Sequence, residues 1–116
     1  MVDFEGPAFE RFEKSNTLTA AGDVLLLPTP GHTAGHMSVA VQADDVLTLL
    51  AGDASYTEGI MRARRADGVT DDPATARRTL VALGQLSEQH HMVYLPSHDP
   101  DSLSRLHNAE TAAARA

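Results

Sequence analysis

Four short apolar runs and one long helical stripe organise this chain. The run VLLL at residues 24–27 follows Gly22-Asp23 and is closed by Pro28, which predicts a buried strand. Residues 37–41 read as a second strand. Asp44-Asp45 marks a turn, and residues 46–51 form a third strand stopped by Gly52-Asp53. Segments 37–42 and 45–51 therefore predict a hairpin. Met92 to Leu95 is a further strand, cut by Pro96. The stretch from Asp53 to Val69 shows no period and is expected to be irregular.

Asp72-Pro73 is a helix start, with an acidic cap and then proline at the first helical position. Ala76, Leu80, Leu83 and Leu86 recur at helical spacing and predict one buried stripe up to about Gln89. Gly84 inside it costs on the order of 1 kcal/mol relative to alanine. Asp101 is expected to cap a last helix that runs into the alanine-rich tail. Residues 1–16 alternate charge with Phe4, Phe9 and Phe12 and read as a loosely structured lead-in packed by those rings. Strands followed by helices make the class α/β. Most strands look buried, so both sheet faces need cover, and two clear helices suffice for one face.

Composition narrows the function classes. The 116 residues are one domain at most, 42% hydrophobic and 22% charged, with a formal net charge of −7. The densest basic group is Arg62-Ala-Arg-Arg65, so neither nucleic acid nor an anionic membrane is an expected partner. There is no cysteine, which removes disulfides, thiolate catalysis and cysteine-based zinc motifs. No apolar run is long enough to span a bilayer, and from the acidic, interrupted stretch MVDFEGPAFERFEK no signal peptide is expected. The expected location is cytoplasmic.

Three polar residues share one setting. His32 follows the first strand, Asp53 the third and His98 the last, each in a Gly- or Pro-containing loop: PGHT, AGDAS and LPSHDP. If those strands run alike, the loops gather at one sheet edge, where α/β folds place their sites. Two imidazoles and a carboxylate there would suit zinc, iron or a similar ion. A mononuclear iron site is one open alternative, and three unrelated surface or turn residues are another. His32 and His36 lie four apart in PTPGHTAGHMS at residues 28–38, but the prolines and glycines speak against a helix that would aim both at one ion. His90-His91 reads as favourable charge at a helix C-terminus, and His107 as solvent-facing.

The stretches TPGHTAGH at 29–36, AGDASY at 51–56 and LPSHD at 95–99 resemble, in order, the later metal-binding motifs of the metallo-β-lactamase superfamily. Within it, the Asp-Ala-Ser-Tyr and Ser-His-Asp stretches look most like the N-acyl-homoserine lactone lactonases, the quorum-quenching branch. The resemblance covers about residues 15–106. It implies that His32 binds one zinc, that Asp53 bridges two, and that His98 binds the second. It also implies that Tyr56 reaches the substrate oxygen, where its phenol would stabilise an oxyanion. His36 is then a structural residue that holds the loop by hydrogen bonds.

The family's earlier motif, His-x-His-x-Asp-His, is not among the six histidines, at 32, 36, 90, 91, 98 and 107. The resemblance therefore implies the C-terminal half of an αββα sandwich, residues 1–116 forming a single incomplete domain built on one mixed sheet with two main helices. The complete site would hold two zinc ions and open a lactone; this chain alone would hold one or none and be inactive. A thioester hydrolase of the glyoxalase II type is the nearest variant. The other reading is a truncated, non-catalytic remnant that binds a partner or a single metal. The expected partners are the missing half, or a second copy through the exposed sheet face.

Overall fold

The computed structural model describes Phe12 and residues 15–55, 57–64 and 72–108. One five-stranded sheet contains β1 (Asn16–Thr17), β2 (Val24–Pro28), β3 (Met37–Ala43), β4 (Val46–Gly52) and β5 (Met92–Pro96), paired in that order. Its helices are α1 (Glu58–Ala63), α2 (Pro73–Gln89) and α3 (Ser102–Asn108). The α/β class and the single mixed sheet are as expected from the sequence.

Strand direction positions the site. β2 and β4 both run antiparallel to β3, so they point the same way, and β5 pairs parallel with β4. The C-terminal ends of β2, β4 and β5 therefore share one edge. The β3–β4 hairpin turns at the other edge, where Asp44 and Asp45 take φ of 53° and 63°. A two-residue hairpin turn of the type that matches strand twist needs positive φ at both positions.

The alternation of each strand decides which face is core. Leu25, Ala40, Leu49 and Tyr94 form one row across four strands, all buried, with Leu27, Leu47, Ala51 and Met92 on the same face. Leu80, Leu83 and Leu86 of α2 pack into this cluster, as the helical stripe predicts, and Phe12 joins it. Each such leucine contributes roughly 2 kcal/mol through burial. Phe4 and Phe9 lie outside the described residues. On the opposite face Leu26, Val39, Leu50 and Leu95 stand in register, with Leu50 46% exposed.

Three features depart from or add to the sequence reading. β1 begins at residue 16, the last of the expected lead-in, and adds a short strand that the sequence did not mark. α1 occupies part of the stretch read as irregular: Thr57 caps it, accepting a hydrogen bond from Ile60 N–H. Only six residues long and carrying Gly59, it is too short to show a period. At the start of α3, Asp101 stands at the expected cap position, its carbonyl accepting Arg105 N–H at 3.0 Å, and Asp99 adds a second carboxylate whose Oδ1 accepts the N–H of Asp101 at 2.9 Å. α2 matches its expected span, and Asp72 accepts the N–H of Thr75 as its cap.

Candidate functional site

The turn that carries His32 is fastened to α2. Gly31 has φ of 151°, and a Cβ there would stand 2.6 Å from the Ala76 Cα, so only glycine lets the loop settle on the helix. Thr79 Oγ1 of α2 donates to the Pro30 carbonyl at 2.6 Å. Thr29 N–H donates to the His36 carbonyl at 3.0 Å and closes the loop at its base. His32 thus projects from a short, docked loop at the end of β2.

His36 holds the loop that carries Asp53. Its Nε2 accepts the backbone N–H of Asp53 at 3.0 Å. Because Nε2 accepts, the neutral ring carries its proton on Nδ1, an assignment made from the network. Nδ1 lies 2.9 Å from Thr29 Oγ1 and 3.1 Å from the Thr29 carbonyl. Burial holds this imidazole below its ordinary value of 6.5, against the smaller upward pull of the Thr29 hydrogen bond and the Asp53 charge. Gly52 precedes Asp53 with φ of 56°, and a Cβ there would meet His36 Nε2 at 3.0 Å. His36 therefore fastens the Asp53 loop, and its second nitrogen is spent on Thr29.

The third loop follows β5. Ser97 N–H donates to the Gly52 carbonyl at 2.8 Å, which sets the His98 loop beside the Asp53 loop. His98 Nε2 then lies 3.0 Å from Asp53 Oδ1, and His32 Nε2 lies 3.8 Å from Asp53 Oδ2. The structure brings together all three residues singled out from the sequence, each imidazole on its own carboxylate oxygen. The cluster forms an open rim: the His98 side chain is 61% exposed. Two concavities lie elsewhere, at the β3–β4 turn beside His90 and along the outer side of α2. Tyr56 lies outside the described residues. His90 caps the end of α2, and His107 is exposed on α3.

A further anchor of the Asp53 loop was missed in the sequence. Ser55 Oγ donates to the Thr57 carbonyl at 2.8 Å and lies 2.9 Å from Tyr94 Oη. With its one proton spent on Thr57, Ser55 must accept from the Tyr94 phenol. Burial pushes that phenol well above its ordinary value, so it keeps the proton it donates. Tyr94 reads in the sequence as a strand residue, and nothing local marks a partner 39 positions away.

The donor set can be tested for a cation. Nδ1 of His32 is buried with no hydrogen-bond partner among the described residues, and its Nε2 is too far from Asp53 for a hydrogen bond. A half-buried ring with neither nitrogen satisfied suits a metal ligand, and imidazole with carboxylate suits zinc-like ions. Among the described residues, no three His, Asp or Glu side chains are drawn close enough to form a ready cage. The donors fit as an open, partial set.

The chain belongs to the metallo-beta-lactamase superfamily, whose family model matches residues 4–98. That family implies bound metal ions. Probable metallo-hydrolases of Mycobacterium tuberculosis and Mycobacterium bovis are 39% identical over 61 residues, which is 52% of this chain and 20% of theirs. An N-acyl homoserine lactone hydrolase, solved with the product N-hexanoyl-L-homoserine at its catalytic metal center, is similar at a TM-score of 0.64 and 25% identity. A variant of AiiA from B. thuringiensis, solved with N-decanoyl-L-homoserine at its active site, gives the same values. Each match covers 80% of this chain and 36% of the other. This chain thus spans about a third of its solved neighbours and a fifth of its curated relatives.

Proposed function

We propose that this chain supplies part of the site of a metal-dependent hydrolase that opens a lactone, such as an N-acyl-homoserine lactone. The observation that carries the reading is the placement of His98 and His32 at 3.0 Å and 3.8 Å from separate oxygens of Asp53. His32, Asp53 and His98 would hold the metal, with zinc as the ion and two ions in the complete site. When bound, such a metal polarises a carbonyl and lowers the pKa of water. The lactonase neighbours at 25% identity favour a lactone over the thioester of a glyoxalase II type enzyme.

The chain's own residues act by placement. Asp53 keeps its carboxylate between the two imidazoles because His36 fixes its backbone. Tyr56 would donate a hydrogen bond to the oxyanion that forms as the carbonyl is attacked. The remaining donors come from outside these residues, on a segment or second chain that covers Leu26, Val39, Leu50 and Leu95. The location is cytoplasmic, in keeping with the absence of cysteine.

A second reading rests on the open donor set: three candidate ligands, one of them 61% exposed, suit a piece that binds a single metal and catalyses nothing. The test combines the chain with the sequence encoded upstream of Met1, or with a separately encoded segment bearing His-x-His-x-Asp-His. Hydrolysis of N-hexanoyl homoserine lactone by the combination, lost on Asp53→Ala, supports the hydrolase. Background hydrolysis by a folded combination that binds metal leaves the second reading standing.

A further inference from the structure

Beside the rim lies a buried ionic group that the proposed chemistry does not use. Asp99 follows His98 directly and is 9% exposed; Arg105 of α3 is 2% exposed and Glu58 of α1 is 3% exposed. Asp99 Oδ2 accepts the backbone N–H of Glu58 at 2.9 Å and a hydrogen bond from Arg105 Nη2, also at 2.9 Å. Its Oδ1 accepts the N–H of Asp101. Arg105 Nε and Nη2 both donate to the Tyr94 carbonyl, at 3.0 Å and 2.9 Å, and Nε stands 3.9 Å from Glu58 Oε1. Ser102 Oγ donates to the Pro96 carbonyl at 2.8 Å.

Burying a guanidinium and two carboxylates is costly, and a buried ion pair is weak evidence for stability. The directions of these bonds suggest what the group achieves. The segment 53–58 starts at Asp53 and ends at the Glu58 amide, which Asp99 holds. The segment 94–102 contains His98 and is held at Tyr94, Pro96 and Asp101. One carboxylate therefore spans the two loops whose side chains meet at 3.0 Å. Arg105 sets an opposite charge 2.9 Å from this carboxylate, beside the N–H groups of Glu58 and Asp101.

We propose that Asp99, held by Arg105, is a positioning residue that sets His98 against Asp53 and so fixes the geometry of the metal-binding rim. The proposal rests on the metal reading for its affinity consequence but not for its geometric one. Loss of the clamp loosens the His98 side of the rim and leaves the His32 side, docked on α2, as it is. Outer hydrogen-bond partners of metal sites typically change affinity by about 10- to 100-fold, and about tenfold is expected here because Asp99 acts through the backbone.

The test compares the full chain with Asp99→Asn and with the triple variant Asp99→Asn, Arg105→Gln, Glu58→Gln, which removes the three buried charges together. The imidazole nitrogen resonances of His98 and His32 are recorded without metal, and zinc affinity is then measured by calorimetry. The expected result is a displaced His98 signal, an unmoved His32 signal and zinc binding weakened about tenfold, while both variants unfold cooperatively. A wild-type chain that binds no zinc, but whose His98 signal moves alone in the variants, keeps the clamp and removes the metal reading. Unchanged His98 signals with wild-type zinc affinity in either folded variant overturn the clamp. Loss of cooperative folding in both variants also overturns it, since the group would then be a folding requirement.

Discussion

The imidazole of His36 receives the backbone N–H of Asp53 on Nε2 at 3.0 Å, so a histidine that faces a candidate metal rim serves it from behind. Truncation in His36→Ala removes the acceptor and leaves a partly buried amide unsatisfied. The expected loss is about 1 kcal/mol of folding stability, measured by urea denaturation. Amide exchange at Asp53 should accelerate more than exchange at Thr29, whose N–H bonds a backbone carbonyl. An unchanged Asp53 exchange rate contradicts the role given to His36.

The glycines at positive φ should differ in cost. Gly31→Ala drives a Cβ into the Ala76 backbone at 2.6 Å, whereas Gly22→Ala, at φ of 76°, meets nothing within 4 Å. Gly22→Ala should cost about 1 kcal/mol from backbone strain. Gly31→Ala should cost that plus about 1–3 kcal/mol as α2 is forced away. Equal urea midpoints for the two variants would argue against the docking of the His32 loop on α2.

Acid should weaken α2 at its cap. The Thr75 side-chain and backbone hydrogen bonds hold the Asp72 carboxyl below its ordinary value of 3.8. A depressed folded value means that the unfolded chain takes up the proton first. The capping contribution is thus complete above about pH 3.8 and is lost as the pH falls through the folded value. Asp72→Asn can still accept from Thr75 but does not titrate there, so its stability should vary less over that range. Thermal melts of the two chains at stepped acidic pH check this.

Zinc should raise the melting temperature of the chain through the rim. Ligand at 100 times its dissociation constant adds about 2.7 kcal/mol of apparent stability. His32→Ala, Asp53→Ala and His98→Ala should each reduce the shift, and a chelator should reverse it. His107→Ala, on the exposed side of α3, should leave it intact. A zinc shift that survives Asp53→Ala would assign the metal to other donors.

What could be read in advance follows from how local each signal is. The strands and α2 announce themselves because alternation, apolar runs and the Asp72-Pro73 start lie within a few neighbouring residues. The rim was legible because His32, Asp53 and His98 each come just after a strand; that β2, β4 and β5 run alike follows from the hairpin pairing and one parallel pair. α1 was not legible, being shorter than two turns. Nor were the pairings of Glu58 with Asp99 and of Ser55 with Tyr94, which join positions 41 and 39 apart. Gly84 looked like a plain cost inside α2. In the fold a Cβ there would come within 3.0 Å of Arg64 Nε, so the bare backbone makes room for a guanidinium from the end of α1.

The hairpin corner at Asp44-Asp45 lies a full strand away from the three loops, roughly 20 Å along β3 and β4. That distance separates where the molecule can be handled from where it would react. A fluorophore, an affinity peptide or a surface tether grafted at this corner would report on the protein, or immobilise it, with the His32, Asp53 and His98 loops still facing the solution.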